Sequence, residues 1–291
     1  MITVFTHKAS PRLEYTLNFI FKEYFGIDFT IETDPIRFRD SKVPKINYSM
    51  DDFDGALQKQ SFQIFPKLIL FQEDLTEHQI TVKEWEGVKI FYPVTKGDLP
   101  FDIFAATFFL ISRYEEYLYA KRDRFDRYDP RNSIAWKNGF LYEPIVNIWL
   151  NKFAILLRSY FPDIKIKQPK YTFQPTIDID NAWAYLHKGF FRTAGGLAMN
   201  MVRGGFVNID KRLKVLLRIK KDPFDTYETI DYIHEKYKLK PHIFFLMGNY
   251  GGNDKSISPT NKSFQNLIKR YKDIAHIGVH ASFSSNNNYR S

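Results

Sequence analysis

The stretch QPTIDIDNAW, residues 174 to 183, sets Asp178 and Asp180 one residue apart at the end of a strand-like run. In an extended strand alternate side chains share a face, so Thr176, Asp178 and Asp180 point one way and Ile177 and Ile179 the other. The two carboxylates then lie about 7 Å apart along the strand, close enough to serve one bound metal ion and its water. Downstream, Pro223 suits a helix start in DPFDTYETIDYIHEKYKLK (222–240), where Phe224, Tyr227, Ile230 and Ile233 recur on one face. PHIFFLMG (241–248) is almost purely apolar, as expected of a strand covered on both sides. NKSFQNLIKRYKDI (261–274) reads as a second helix and HIGVH (276–280) as a third strand. The alternation of strand and helix implies right-handed crossovers and a parallel sheet or barrel.

The preceding region reads as a separate α/β domain over 1–168, of unknown role, leaving 169–291 to the second domain. ITVFT (2–6) is a short strand, and Ser10-Pro11 opens a helix over 11–26 whose Leu13, Leu17, Ile20, Phe21 and Phe25 recur at helical spacing. Gly26 stops it. DFTIET (28–33), KINYS (45–49), KLILF (67–71) and VKIFYPV (88–94) read as strands, and 100–120 and 141–161 as helices. Glu115 and Glu116 are adjacent on the first of these, so they point about 100° apart and cannot grip one atom. They read as a solvated helix end.

Composition narrows the function classes. The 291 residues include no cysteine, which excludes disulfides, thiolate zinc sites and a cysteine nucleophile. Any metal must use His, Asp, Glu or water. The longest apolar run, Ile103 to Ser112, falls well short of the roughly 20 residues of a spanning helix. The first residues lack a basic stretch followed by an apolar one, so the expectation is a soluble, cytoplasmic protein with no transmembrane segment. Of the net charge of +9, the segment 188–221 carries +8, with nine basic residues against Asp210 alone. It reads as a basic insertion of loop and one or two short helices with a solvated face, or as a cover over an anionic polymer or a membrane surface. No nucleic-acid-binding motif accompanies it, so no nucleic acid is expected.

With these residues in view, the chain resembles a known family. PTIDID, PHIFFLMG and GVHASFS are similar to the first three strands of the polysaccharide deacetylase (NodB-homology) domain, a distorted parallel barrel. DPFDTYETI, GGNDKSIS, DIFAATFFLISRYEEYL and GFLYEPIVNIWL resemble a bacterial subgroup that carries an extra N-terminal domain. The resemblance implies a partial parallel β/α barrel, since the family domain continues for four more strands than are present. It also implies metal-assisted hydrolysis of an N- or O-acetyl group on a carbohydrate. Asp178 would be the general base, and Asp180 and His280 ligands of a divalent metal, zinc by family habit. Where the family has its next histidine, four residues after the first, this chain has Ser284. The candidate replacements are His187, in the loop after Asp180, and an aspartate or asparagine from elsewhere in the chain. The rival readings of the same aspartates are a catalytically inactive, glycan-binding domain and, further off, a D-x-D glycosyltransferase. A haloacid-dehalogenase-type phosphohydrolase fits less well, because Ala182 stands where Thr or Val belongs.

Overall fold

Ile2–Phe5 (β1) is buried along its whole length, because a parallel sheet is built around it. Phe29–Glu32 (β2) and Lys45–Asn47 (β3) flank it, and Ser61–Gln63 (β4) follows, in the all-parallel order β2-β1-β3-β4. The computed structural model describes residues 1–51, 60–118, 122–124, 126–167, 170–202, 206–248, 250–252 and 254–286. The chain divides into two compact units, Met1–Lys170 and Tyr171–Ser291. The expected boundary, between 168 and 169, lies outside the described residues. Each unit is mixed α/β.

In unit 1, Pro11–Leu17 (α1) is capped by Ser10, whose hydroxyl accepts from the Leu13 N–H, and continues as a π-helix over Asn18–Tyr24 until Gly26 turns it at φ 65°. Pro35–Asp40 (α2) follows β2. Val82–Trp85 (β5) and Val88–Phe91 (β6) form an antiparallel hairpin closed by Glu86 and Gly87, both at positive φ. Ile103–Ile111 (α3), the short Ile134–Lys137 (α4) and Ile145–Tyr160 (α5) complete the unit. The core is aromatic: Trp149 of α5 meets the rings of Phe91 and Phe101, and its Nε1–H donates to the Lys89 carbonyl at 2.9 Å.

Asp102, fully buried, starts α3. One carboxylate oxygen accepts from the Phe104 and Ala105 N–H groups, while the other accepts from the Lys67 N–H and the Tyr48 hydroxyl. Burial nevertheless pushes its carboxyl up to about 6.

Three sequence expectations change here. KLILF is a 3₁₀ turn over Leu68–Leu70 rather than a strand, because its carbonyls face α1: Ile69 accepts from Arg12 and Leu70 from the Ser10 hydroxyl. The helix expected over 100–120 ends at Ile111, where Arg113 turns to φ 54° and a 3₁₀ turn, Tyr114–Tyr117, follows. Glu115 is not a solvated end but half-buried, its carboxylate accepting from the Ile134 N–H at 2.7 Å.

Unit 2 holds Thr176–Ile179 (β7), Phe190–Val202 (α6), Phe206–Leu216 (α7), Tyr227–Lys236 (α8), His242–Leu246 (β8), Lys262–Tyr271 (α9) and His276–His280 (β9). The strands pair in parallel in the order β7-β8-β9. The face carrying Ile177, Ile179, Ile243 and Phe245 packs on Tyr227 from α8 and on Phe264, Leu267 and Tyr271 from α9. Both helices therefore cover one side, as when each new strand joins the same edge and the sheet winds one way. β8 was expected to be covered on both sides. Instead it alternates, with Ile243 and Phe245 buried and His242 and Phe244 half-exposed, because among the described residues helices cover only one face.

Asp102→Ala, which orphans four buried donors, is expected to cost on the order of 3 kcal/mol in urea unfolding followed by tryptophan fluorescence. Since folding raises the Asp102 pKa, its contribution is full below about pH 4 and is lost as pH rises through about 6. Asp102→Asn should flatten that part of the pH dependence of the urea midpoint.

Candidate functional site

The register of the unit 2 sheet builds the site. Asp178, Phe244 and Gly278 form one row across the open face. Asp180 and His280 follow one pleat further toward the C-terminal ends of the strands. Gly278 has a steric reason: a Cβ there would meet the Phe244 ring at 2.5 Å, so only glycine lets that ring lie across the sheet. His280 Nε2 stands 3.9 Å from an Asp178 carboxylate oxygen and 3.8 Å from one of Asp180. Among the described residues the two carboxylates meet no other side-chain partner. All three groups open to solvent.

His280 Nδ1 lies 2.8 Å from the Ala281 carbonyl. A carbonyl can only accept, so Nδ1 carries a proton and Nε2 is the ring nitrogen that faces the two carboxylates. That second contact is what orients a metal-binding histidine. Two carboxylates and one imidazole lone pair are donors a divalent cation takes. The spacing is slightly open, since two ligands of a tetrahedral zinc lie about 3.3 Å apart. Among the described residues no group of three or more His, Cys, Asp or Glu side chains is placed to hold a metal ion.

Position 284 adds nothing to the donors as it stands. Ser284 lies in a 3₁₀ turn, Phe283–Asn286, with its hydroxyl 2.9 Å from that of Ser282. The buried Asp254 accepts from the N–H groups of Phe283 and Ser284, so the loop after β8 fixes the loop after β9. His187 is turned away into its own loop: its ring meets Trp183 edge-on at 4.5 Å, and burial, with Arg218 second, lowers its pKa. His242 and His276 stack at 4.8 Å at the opposite end of the strands.

The model of the family of unknown function DUF7033 matches residues 2–162. The chain belongs to that family. No curated protein and no solved structure matches it. The DUF7033 region lies within unit 1, so it includes the Asp102 network, whereas Asp178, Asp180 and His280 lie beyond it.

Sequence reasoning missed the groups that hold this end of unit 2 in place. Asp222, buried, accepts from the N–H groups of Ala184, Tyr185, Leu186 and Phe224. Burial opposes its charge, but these donors prevail and keep the carboxyl below its ordinary value. The signal was Asp222-Pro223-Phe224, an aspartate bonding the N–H two residues on. Beside it a cleft of about 400 Å³ is lined by Lys188, Arg192, Gly248, Tyr250 and Asn261, among others. Arg192 lies over the Tyr250 ring at 3.9 Å and donates to the Ser256 carbonyl. With its amide turned to satisfy both ends, Asn181 donates to the Trp183 carbonyl and accepts from Lys188 at 3.0 Å. Burial, then the charge of Arg192, lowers the Lys188 amine to about 8.

Asp222→Ala should cost on the order of 3 kcal/mol in urea unfolding, by stranding four N–H groups. Lys188, deprotonated in half its copies near pH 8, should be the lysine acetylated first by an acylating reagent at that pH, read by peptide mass spectrometry.

Proposed function

We propose that unit 2 is a polysaccharide deacetylase-like hydrolase site that removes an N- or O-acetyl group from a carbohydrate, on a barrel of which β7, β8 and β9 are the first three strands. The observation that carries this reading is the meeting of His280 Nε2 with Asp178 and Asp180, within 4 Å of both, while Nδ1 is fixed on the Ala281 carbonyl. One-sided winding of the strands supports the barrel.

In this reading Asp180 and His280 hold a divalent cation, zinc by the match of imidazole and carboxylate donors. Such an ion, when bound, brings the pKa of its water toward neutrality. Asp178, one pleat deeper on the same face, takes the proton of the water that attacks the acetyl carbonyl. That proton then passes to the leaving nitrogen or oxygen as the C–N or C–O bond breaks, releasing acetate and the free amine or alcohol. The solvent exposure of the three side chains suits a substrate as large as a glycan chain.

A second reading has its own observation. Ser284, bonded to Ser282 and pinned by Asp254, leaves the site a ligand short, which favours a glycan-binding domain without turnover.

The test is acetate release from acetylated chito-oligosaccharides and from an O-acetylated glycan, with zinc added to the full chain. Slow release is expected, falling at least about a hundredfold in Asp178→Asn and in His280→Ala. Isothermal titration should show weak zinc binding, lost in Asp180→Ala and strengthened in Ser284→His. Glycan binding with no acetate release under any divalent metal would establish the second reading, and release that survives Asp178→Asn would overturn the first.

A further inference from the structure

The segment after Lys188 folds as a helical hairpin, α6 and α7, with an unusual outer face. At 100° per residue, Phe190, Phe191, Ala194, Ala198, Met201 and Val202 of α6 fall within an arc of about 120°. Every one of them is exposed, Phe191 by 88% and Val202 by 85%. The opposite side of the helix is committed inward: the Arg212 guanidinium from α7 lies against Gly196, where a Cβ would overlap it, and donates to the Thr193 carbonyl. Arg212 also lies 5.0 Å over the Tyr185 ring. The orientation of α6 is thereby set, and its apolar stripe faces out.

A stripe of this kind on a water-exposed surface is the mark of an interaction site. Charge identifies its occupant. Beyond the stripe, Leu217 and Ile219 are exposed, interleaved with Arg218 and Lys220. Lys214 is paired with Asp210 and Lys221 with Glu228, but Lys211, Arg218 and Lys220 meet no acid among the described residues. Against a second copy, the segment's net +8 would face itself. Nucleic acid offers no apolar phase for Phe190, Met201 and Val202. A bilayer with anionic headgroups satisfies both halves, acyl chains for the stripe and phosphates for the lysines.

We infer that α6 and α7 form an amphipathic hairpin that lies on anionic membrane surfaces, with Phe190, Phe191, Met201 and Val202 entering the headgroup–acyl boundary and Lys211, Arg218 and Lys220 meeting lipid phosphates. Among the described residues no helix is long and apolar enough to cross a membrane, so the contact is interfacial.

Flotation of the full chain with vesicles tests this, using phosphatidylcholine alone and phosphatidylcholine with phosphatidylglycerol in equal parts. Binding to the mixed vesicles is expected, more than about tenfold tighter than to phosphatidylcholine and weakened by salt. The double variant Phe191→Asp, Val202→Asp should abolish it, and Lys211→Glu, Lys220→Glu should weaken it by about tenfold or more. All four positions are exposed, so urea midpoints should not move. Three outcomes would overturn the inference. These are no binding to the mixed vesicles, binding that the aspartate variant leaves intact, and self-association of the chain that this same variant removes.

Discussion

A parallel strand presents two faces, and among the described residues of unit 2 helices cover only one of them. Ile177, Ile179, Ile243 and Phe245 are spent on that covered face, which forces Asp178, Asp180 and His280 onto the open one. The in-register pairing of β7, β8 and β9 then does the rest. It sets the C-terminal ends of β7 and β9 level, so two residues far apart in sequence meet without any loop having to bring them together. The loops only hold the ends still. Asp222 gathers the N–H groups of the loop after β7, and Asp254, in the loop after β8, gathers those of the loop after β9.

Among the described residues three buried aspartates share this role. Asp102, Asp222 and Asp254 are each removed from water and each accept from two or more backbone N–H groups, which outweigh burial at Asp222 and do not at Asp102. Asp178 and Asp180 are the reverse, solvent-open and nearly partnerless. The contrast separates carboxylates that build the molecule from carboxylates free to meet something else.

Much of this was legible in the sequence wherever one local rule governed. Alternation placed Asp178 and Asp180 on one face, Ser10-Pro11 marked the start of α1, and Gly26 marked its end. The sequence was misleading where long-range contacts overrode local pattern. KLILF has the composition of a strand, yet Arg12 and Ser10 take its carbonyls. IFAATFFLIS continues apolar enough to promise a longer helix, but the chain turns at Arg113. β5 was missed because VKEW is too polar to stand out, and only its partner β6 makes it a strand. The outward stripe of α6 was illegible for a related reason: FFRTAGGLAMNMV mixes glycines with apolar residues, and only Arg212 against Gly196 determines which side faces out.

The third strand of unit 2 raises a matter of colloidal behaviour. Among the described residues nothing pairs along the outer side of β9, and its Val279 is 70% exposed. A row of unpaired amides beside an uncovered valine is a template on which another extended segment can add. Lysines, prolines and bulges, the usual means of blunting such an edge, are missing from HIGVH; only the two histidines interrupt it. Association of concentrated samples is therefore expected to run through this edge, by main-chain pairing with an added extended segment.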